Sequence, residues 1–189
     1  DRVLALVDLL KDDPTTLVRR SVANNLNDLG KVHPKLLTQI CSAWLGQGAS
    51  SERRALVEHA LRSAIKRGDP GALALLGYGT KPLVELEDVC FAPEKVPIGG
   101  RVAVTFALRS TAPTSQDLLV DLAVHFVKAN GAGSPKVFKL KRIELPPRAR
   151  VTLAAKVSLA VHTTRKPRPG RHAVEVIVNG QAMPAGSFD

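Results

Sequence analysis

The chain has 189 residues, of which 44% are hydrophobic and 23% charged, a composition that argues against disorder and allows one or two domains with a buried core. Its formal net charge of +10 favours a polyanionic partner such as a nucleic acid. Aromatic residues make up only 4%, which excludes stacking on unpaired bases as a major binding device, so a nucleic acid would be held mainly through its phosphates.

The compartment and the ends of the chain can also be read from the sequence. No segment has the length of a membrane span, and the first residues lack the basic start and cleavage site of a signal peptide. We therefore expect a cytoplasmic protein that does not bind membranes, with Cys41 and Cys90 as buried thiols in a reducing compartment. Asp1 begins in the middle of an apolar helical pattern, which predicts that upstream sequence is missing.

From residue 1 to about residue 80, apolar residues recur at helical spacing, which predicts a series of short helices. The helices are expected to begin at a proline or serine, and these residues are Pro14, Pro34, Ser51 and Pro70. These starts predict helices of roughly one and a half dozen residues, with Gly30 and Gly68 as left-handed residues at helix ends. The regular spacing is typical of stacked HEAT or armadillo helical hairpins.

The helix that begins near Pro14 carries a polar stripe. At 3.6 residues per turn one face collects the polar residues, which are Arg20, Asn24, Asn27, Asp28 and Lys31. The opposite face is apolar and contains Val18, Val22, Leu26 and Leu29. The apolar face is expected to pack, and the polar stripe to face a partner or solvent.

Asp28 is the unusual member of the stripe, because a carboxylate among cations opposes docking onto phosphates. A negative charge retained there could position a water molecule or stabilise a cationic transition state. Alternatively, Asp28 pairs with Lys31 or Asn24 on a solvated face. In the helix that begins near Ser51, Arg54, Arg62 and Lys66 follow one edge, which either tracks a phosphate backbone or faces solvent.

After Pro82 the apolar period changes to two, which predicts an antiparallel β domain. Four alternating runs stand out, namely 102–108, 120–126, 151–159 and 174–178. Turn signals between them suit an immunoglobulin-like sandwich of about seven strands, although the disulfide and core Trp of antibody domains are absent. We place the boundary near residue 80, so that residues 1–80 form helical repeats and residues 81–189 form the β-sandwich.

The positive charge is concentrated in the β half, because residues 81–189 hold 16 Lys and Arg against 9 Asp and Glu, or +7 of the net +10. One dense cluster contains Lys136, Lys139, Lys141 and Arg142. The other, stiffened by prolines, contains Arg165, Lys166, Arg168 and Arg171. The second cluster is expected to form a rigid basic hairpin tip that reaches a phosphate backbone, with a solvated loop as the alternative.

Common catalytic and cofactor motifs are absent from the sequence. There is no GxSxG, no phosphate-binding P-loop, no HExxH, and no GxGxxG after a strand. The five histidines are dispersed and lack metal-ligand partners at a useful spacing; they are His33, His59, His125, His162 and His172. We therefore expect neither a metal ion nor another cofactor.

Two long runs, VRRSVANNLNDLGKVHPKLL and HALRSAIKRGDPGALALLGY, are followed by the β-sandwich pattern. In this combination the chain closely resembles, over almost its whole length, the AlkC family of DNA alkylation repair glycosylases. That family has a HEAT-like α-solenoid related to AlkD and hydrolyses the N-glycosidic bond of cationic alkylated purines such as 3-methyladenine. Some members carry a C-terminal immunoglobulin-like domain, so the resemblance implies the C-terminal part of such an enzyme, acting as a monomer on double-stranded DNA.

The resemblance assigns roles to several residues. It gives Asp28 the part of the catalytic carboxylate, which stabilises an oxocarbenium-like sugar and directs water, with Asn24 and Asn27 in support. The residues expected to bind DNA are Arg19, Arg20, Lys31, Arg54, Arg62, Lys66, Arg165, Lys166, Arg168 and Arg171. The family's preceding hairpins supply a second acidic residue and aromatic packing that this chain lacks, so the piece alone could bind without cutting. The alternative is a noncatalytic scaffold that binds DNA or protein through the polar stripe.

Overall fold

The computed structural model describes residues 2–46, 48–127, 133–161 and 166–189. The chain separates into a helical unit, Asp1–Thr80, and a β unit, Lys81–Asp189. A helical part followed by an antiparallel β-sandwich confirms the predicted fold class. None of the described helices is long and apolar enough to cross a membrane.

The described part of the helical unit contains five helices. They are α1 (Arg2–Leu10), α2 (Thr16–Val32), α3 (Pro34–Trp44), α4 (Ser51–Lys66) and α5 (Pro70–Leu75). The predicted starts at Pro34, Ser51 and Pro70 are confirmed, and the side chains of Ser50 and Asp69 cap α4 and α5. The α2 start at Pro14 is wrong by two residues, because the Asp13 carboxylate accepts the Thr15 N–H and closes a local turn there. The predicted length of roughly one and a half dozen residues is confirmed for α2 and α4, which have 17 and 16 residues, but is wrong for α3 and α5, which have 11 and 6.

Gly30 lies inside α2 rather than at its end, which corrects the prediction of a left-handed residue there. The reason is the close approach of α3. A Cβ atom on Gly30 would lie 2.2 Å from Leu37 Cδ2 and 3.2 Å from Leu37 Cβ, and Leu37 is itself buried. Gly30 therefore makes room for the packing of α3 on α2. Gly68 does adopt the predicted left-handed conformation, with φ of 73°.

The core of the helical unit forms where α2 packs against α4 and α3. Its largest fully buried side chains are Leu26, Leu37, Leu61 and Val57. Trp44 is buried and its indole Nε1–H donates to Asp8 Oδ1 over 2.9 Å, which ties α3 to α1. Cys41 is fully buried, as predicted, and burial raises the pKa of its thiol to about 12. Cys90 of the β unit is exposed, which corrects the prediction that both thiols are buried.

The described part of the β unit contains seven strands, in agreement with the predicted number. They are β1 (Val84–Ala92), β2 (Arg101–Ser110), β3 (Gln116–Val127), β4 (Gly133–Leu145), β5 (Arg150–Ser158), β6 (His172–Val178) and β7 (Gln181–Phe188). All pairings are antiparallel, in one sheet of order β1-β2-β5 and another of order β4-β3-β6-β7. Alternate residues of the predicted runs, such as Phe106, Leu122 and Val176, fill the space between the sheets. One of the turn signals between the alternating runs, at residues 130–133, lies mostly outside the described residues.

His172 is a buried polar residue of the sandwich core. It is 2% exposed, and its ring centroid lies 5.6 Å from that of Phe126 and 5.1 Å from that of Phe188. The Val127 N–H donates to His172 Nδ1 over 3.3 Å, so Nδ1 carries no hydrogen and the ring is in its neutral form. Burial is the main reason why the pKa of His172 lies below its ordinary value of 6.5.

We expect the β unit to lose stability in mild acid because of His172. The unfolded chain binds a proton at His172 below the ordinary pKa of 6.5, whereas the folded chain resists it. The contribution of neutral His172 to the free energy of unfolding is therefore fully present above pH 6.5, and it is lost as the pH falls towards the lower folded-state pKa. Denaturant midpoints across this range should fall less steeply with pH in His172→Gln than in the wild type. His33→Gln, at an exposed position, should keep the wild-type slope; equal slopes in all three proteins would contradict the prediction.

Candidate functional site

The polar stripe of α2 is exposed at Arg20, Asn24, Asp28 and Lys31, as predicted. Asn27 does not belong to it. Its side chain is 3% exposed, and its Oδ1 accepts the Ser63 N–H of α4 over 3.3 Å. Asn27 was misplaced because it lies at the border of the two faces, where the packed α4 covers it. The exposed stripe is correspondingly narrower than the spacing alone indicated.

Asp28 is 67% exposed at its side chain and forms an ion pair with Lys31, with Oδ1 2.7 Å from Lys31 Nζ. The hydrogen bond and charge of Lys31 hold the pKa of Asp28 below its usual range, with smaller contributions from the Asn27 side chain and the Arg62 charge. The carboxylate is therefore ionised at neutral pH. The structure thus shows the Lys31 pairing that the sequence left open, and it also provides a fixed negative charge that can stabilise a nearby cation.

Asn24 connects α2 to α4 through what we call the Asn24–His59–Arg62 cluster. Asn24 Oδ1 accepts from Arg62 Nη2 over 3.0 Å and lies 3.1 Å from His59 Nε2. Arg62 Nη1 also donates to the His59 carbonyl over 2.7 Å. Because guanidinium nitrogens only donate, the Asn24 atom that they contact is the oxygen, and His59 Nε2 carries its hydrogen. The Asn24 carbonyl is thus directed at α4, away from the expected role beside Asp28.

The other predicted cations of the helical unit differ in their surroundings. Arg19 is half-buried, and its Nη1 donates to the carbonyls of Asp13 and Pro14 over 2.6 and 2.9 Å, so it holds the turn before α2. Arg54 Nε donates to the Ala49 carbonyl over 3.3 Å. Arg20 and Lys66 are exposed, and their side chains form no hydrogen bond or ion pair with other described residues. They are therefore the cations most available to an external anion.

A cleft of about 400 Å³ opens between α2 and α4 at the end of the polar stripe. Its lining residues are Thr16, Arg19, Arg20, Ala23, Ser51, Glu52, Ala55, Leu56 and His59. Buried Ala23 and Leu56 contribute apolar surface, while Arg20 and His59 contribute donors. The volume is in the range of ligand sites. Among the described residues no group of three or more His, Cys, Asp and Glu could hold a metal ion.

The basic segment 165–171 connects two different sheets, because β5 belongs to the three-stranded sheet and β6 to the four-stranded one. The prediction of a hairpin tip is therefore wrong. Lys166, Arg168 and Arg171 are exposed, and Arg171 Nε lies 3.9 Å from Asp189 Oδ1. Arg165 lies outside the described residues. The exposed cations still concentrate positive charge in one short segment.

Two arginines on the outer face of the three-stranded sheet, Arg109 and Arg150, are paired with carboxylates. Arg109 pairs with Glu85 and with Glu87, and Arg150 pairs with Glu87 and with Asp88. The carboxylates raise the pKa of Arg109 by hydrogen bonding and charge. These two arginines therefore offer little net positive charge to a polyanion.

His59 is the functional candidate that the sequence did not identify. It was one of five dispersed histidines, and its contact to Asn24 spans 35 residues. The only sequence signal was the spacing of His59 and Arg62, which places both on one face of α4.

The chain is similar to known proteins over almost its whole length. A family described as "Uncharacterised protein YhaZ, C-terminal Ig-like domain" matches residues 85–189. The uncharacterized protein YhaZ of Bacillus subtilis (strain 168) is 34% identical over 186 residues, covering 98% of this chain and 51% of YhaZ. A solved structure, Pseudomonas fluorescens alkylpurine DNA glycosylase AlkC bound to DNA containing an abasic site analog, aligns with a TM-score of 0.94 and 39% identity. That alignment covers 98% of this chain and 51% of AlkC, so the chain spans about half the length of both relatives.

Proposed function

Since the chain belongs to the AlkC-type family and its residues 85–189 match the YhaZ C-terminal immunoglobulin-like domain, we propose that it forms part of an alkylpurine DNA glycosylase. The observation that carries the proposal is the likeness to AlkC over 98% of the chain at 39% identity. The ionised Asp28 among cations is consistent with this chemistry. The helices would form HEAT-like hairpins, residues 1–80 and 81–189 would be separate domains, and the protein would act as a monomer.

The proposed reaction is hydrolysis of the N-glycosidic bond of a cationic alkylated purine such as 3-methyladenine. The base already carries a positive charge, so it leaves without a general acid. The sugar left behind develops oxocarbenium character, and the Asp28 carboxylate would stabilise that charge and accept a proton from the attacking water. Lys31, 2.7 Å from Asp28 Oδ1, would keep the carboxylate ionised. Asn27 would support Asp28 from its buried position, as its side chain helps to lower the pKa of that group.

We propose two groups of cations as DNA contacts. In the helical unit the exposed Arg20 and Lys66, with Arg62 of α4, would bind backbone phosphates, and Arg19, Lys31 and Arg54 would add positive charge. In the β unit the contacts would be Lys166, Arg168 and Arg171, with Arg165 as their neighbour in sequence.

The direct test is release of 3-methyladenine from methylated duplex DNA by the full-length protein, measured by chromatography of the freed base. Binding of the duplex without release of any methylated purine would favour the second candidate, a noncatalytic DNA-binding scaffold. The observation in favour of that candidate is the exposed Asp28–Lys31 pair, which many solvated helix faces contain. A full-length protein that neither binds the duplex nor releases a methylated purine would contradict both proposals.

Replacing Lys166 and Arg168 together with Gln should weaken duplex binding and reduce its salt dependence. Each lost phosphate contact lowers the magnitude of the slope of log Kd against log salt by about 0.9, so the pair should lower it by about 1.8. Fluorescence anisotropy with a labelled duplex at several salt concentrations measures the slope. Arg109→Gln is the matched control, because Arg109 is already neutralised by Glu85 and Glu87. Equal slopes for the wild type and the double variant would show that Lys166 and Arg168 do not contact DNA phosphates.

A further inference from the structure

We propose that Asn24 and His59 are positioning residues that hold the Arg62 guanidinium ready to bind a DNA phosphate; this inference rests on the function proposed above. His59 had no role in the sequence analysis, and Asn24 was expected to support Asp28. The inference gives both residues a different task, in which they act on the substrate only through Arg62.

The cluster fixes the plane of the Arg62 guanidinium. Arg62 is held at two different nitrogens, because Nη2 donates to Asn24 Oδ1 over 3.0 Å and Nη1 donates to the His59 carbonyl over 2.7 Å. His59 Nε2, 3.1 Å from the same Asn24 oxygen, fixes that amide in turn. A guanidinium has five N–H groups, so three are not used by Asn24 or His59. These three can donate to the oxygens of a phosphate.

The cluster also leaves the positive charge of Arg62 intact. Its hydrogen-bond partners within the described part of the chain are a neutral amide and a backbone carbonyl. Arg53 and Arg109 are instead bound by carboxylates, which cancel their charge locally. Asp28 acts on Arg62 only through its charge, and Lys31 dominates the surroundings of that carboxylate. An arginine that is both ordered and unneutralised is suited to an anion that carries several acceptor oxygens.

Holding Arg62 in place before DNA binds also reduces the entropy cost of binding. A flexible arginine loses rotamer freedom when it is immobilised on DNA, whereas a preformed one has already lost it in the free protein. Release of Arg62 from the cluster should therefore weaken DNA binding by about three- to tenfold, the effect of immobilising one long side chain. If the cluster only joined α2 to α4, its loss would lower stability and leave the affinity of the folded protein unchanged.

The test is equilibrium binding of an undamaged duplex by the full-length protein over a range of salt concentrations. Arg62→Gln should lower the magnitude of the salt slope by about 0.9, since one phosphate contact is lost. His59→Leu should raise Kd by about three- to tenfold. His59→Gln should restore most of the affinity, because the Gln amide can donate to Asn24 Oδ1. The double variant His59→Leu/Arg62→Gln should bind no more weakly than Arg62→Gln alone, since His59 acts only through Arg62.

Several results would overturn the inference. It fails if His59→Leu binds like the wild type while Arg62→Gln binds more weakly, if the two effects add in the double variant, or if Arg62→Gln binds like the wild type. Asn24→Ser changes an exposed residue and provides the same comparison if His59→Leu does not fold. A wild-type protein that does not bind duplex DNA would instead refute the proposed function itself.

Discussion

Asp28→Asn should lower the release of alkylated purines by about 100- to 1,000-fold, the usual effect of removing one group that stabilises transition-state charge. The amide keeps the shape of the side chain and removes the negative charge that an oxocarbenium-like sugar would require. Duplex binding should hold or tighten, because a charge that repels phosphates is gone. Single-turnover release from methylated duplex DNA, with anisotropy for binding, measures both effects in the full-length protein.

Asp12→Asn is the matched control for Asp28→Asn. Asp12 is also an exposed carboxylate of the helical unit that pairs with a cation, in this case Arg53. Its loss should leave release close to the wild-type rate, since it lies outside the polar stripe. Similar losses in both variants would show that surface charge in general, and not Asp28, controls release. Unchanged release in Asp28→Asn alone would rule out a catalytic role for this carboxylate.

Gly30→Val should destabilise the helical unit by about 3 kcal/mol, the upper part of the range for overpacking a filled core. Even a Cβ at this position would lie 2.2 Å from Leu37 Cδ2, and Leu37 is 1% exposed and has little room to move. This effect opposes the gain in helix propensity that normally follows the loss of a glycine, which is under 1 kcal/mol for valine. Denaturant unfolding followed by the circular dichroism of the helices measures the loss.

Two further variants separate steric conflict from helix propensity at Gly30. Asn25→Val places the same residue on the exposed side of α2 and should change stability by no more than about 0.5 kcal/mol. Leu37→Ala should partly rescue Gly30→Val, because the valine then fills the space that leucine vacates. The loss of stability in the double variant should be smaller than the sum of the losses in the two single variants by about 1 kcal/mol or more. Strict additivity would mean that the two side chains do not compete for one volume.

Much of the fold could be predicted because core strands and capped helices leave local signals. The alternation of Val102, Val104 and Phe106 shows one buried face, and Asp69 before Pro70 is a typical helix start. β1, β4 and β7 gave no such signal, and all three are edge strands, although the edge strand β5 was predicted from its run at 151–159. An edge strand tolerates charge, irregular pairing and proline, as β4 does with its lysines and β7 with Pro184. Their patterns are therefore weaker than those of central strands.

The candidate site was predicted less completely, because helical periodicity describes one helix at a time. It placed Arg20, Asn24, Asp28 and Lys31 on one exposed face of α2, which the structure confirms. It could not reveal that α4 covers Asn27 and contacts Asn24, since those contacts join residues more than 30 positions apart. The prediction that Gly30 ends a helix likewise rested on local sequence, whereas a glycine is needed there because the Leu37 side chain of α3 lies so close. The roles of these residues in catalysis and DNA binding remain predictions.

The burial of Cys41 has a chemical consequence for the helical unit. A thiol reacts with electrophiles as its thiolate, and with a pKa of about 12 only about one molecule in 10⁵ would be deprotonated at neutral pH. The surrounding core also denies access to small reagents, since the residue is 0% exposed. Cys41 is the only cysteine of residues 1–80. The helical unit therefore has no readily alkylated thiol, and methylating agents of the kind that damage purines should modify the exposed Cys90 first.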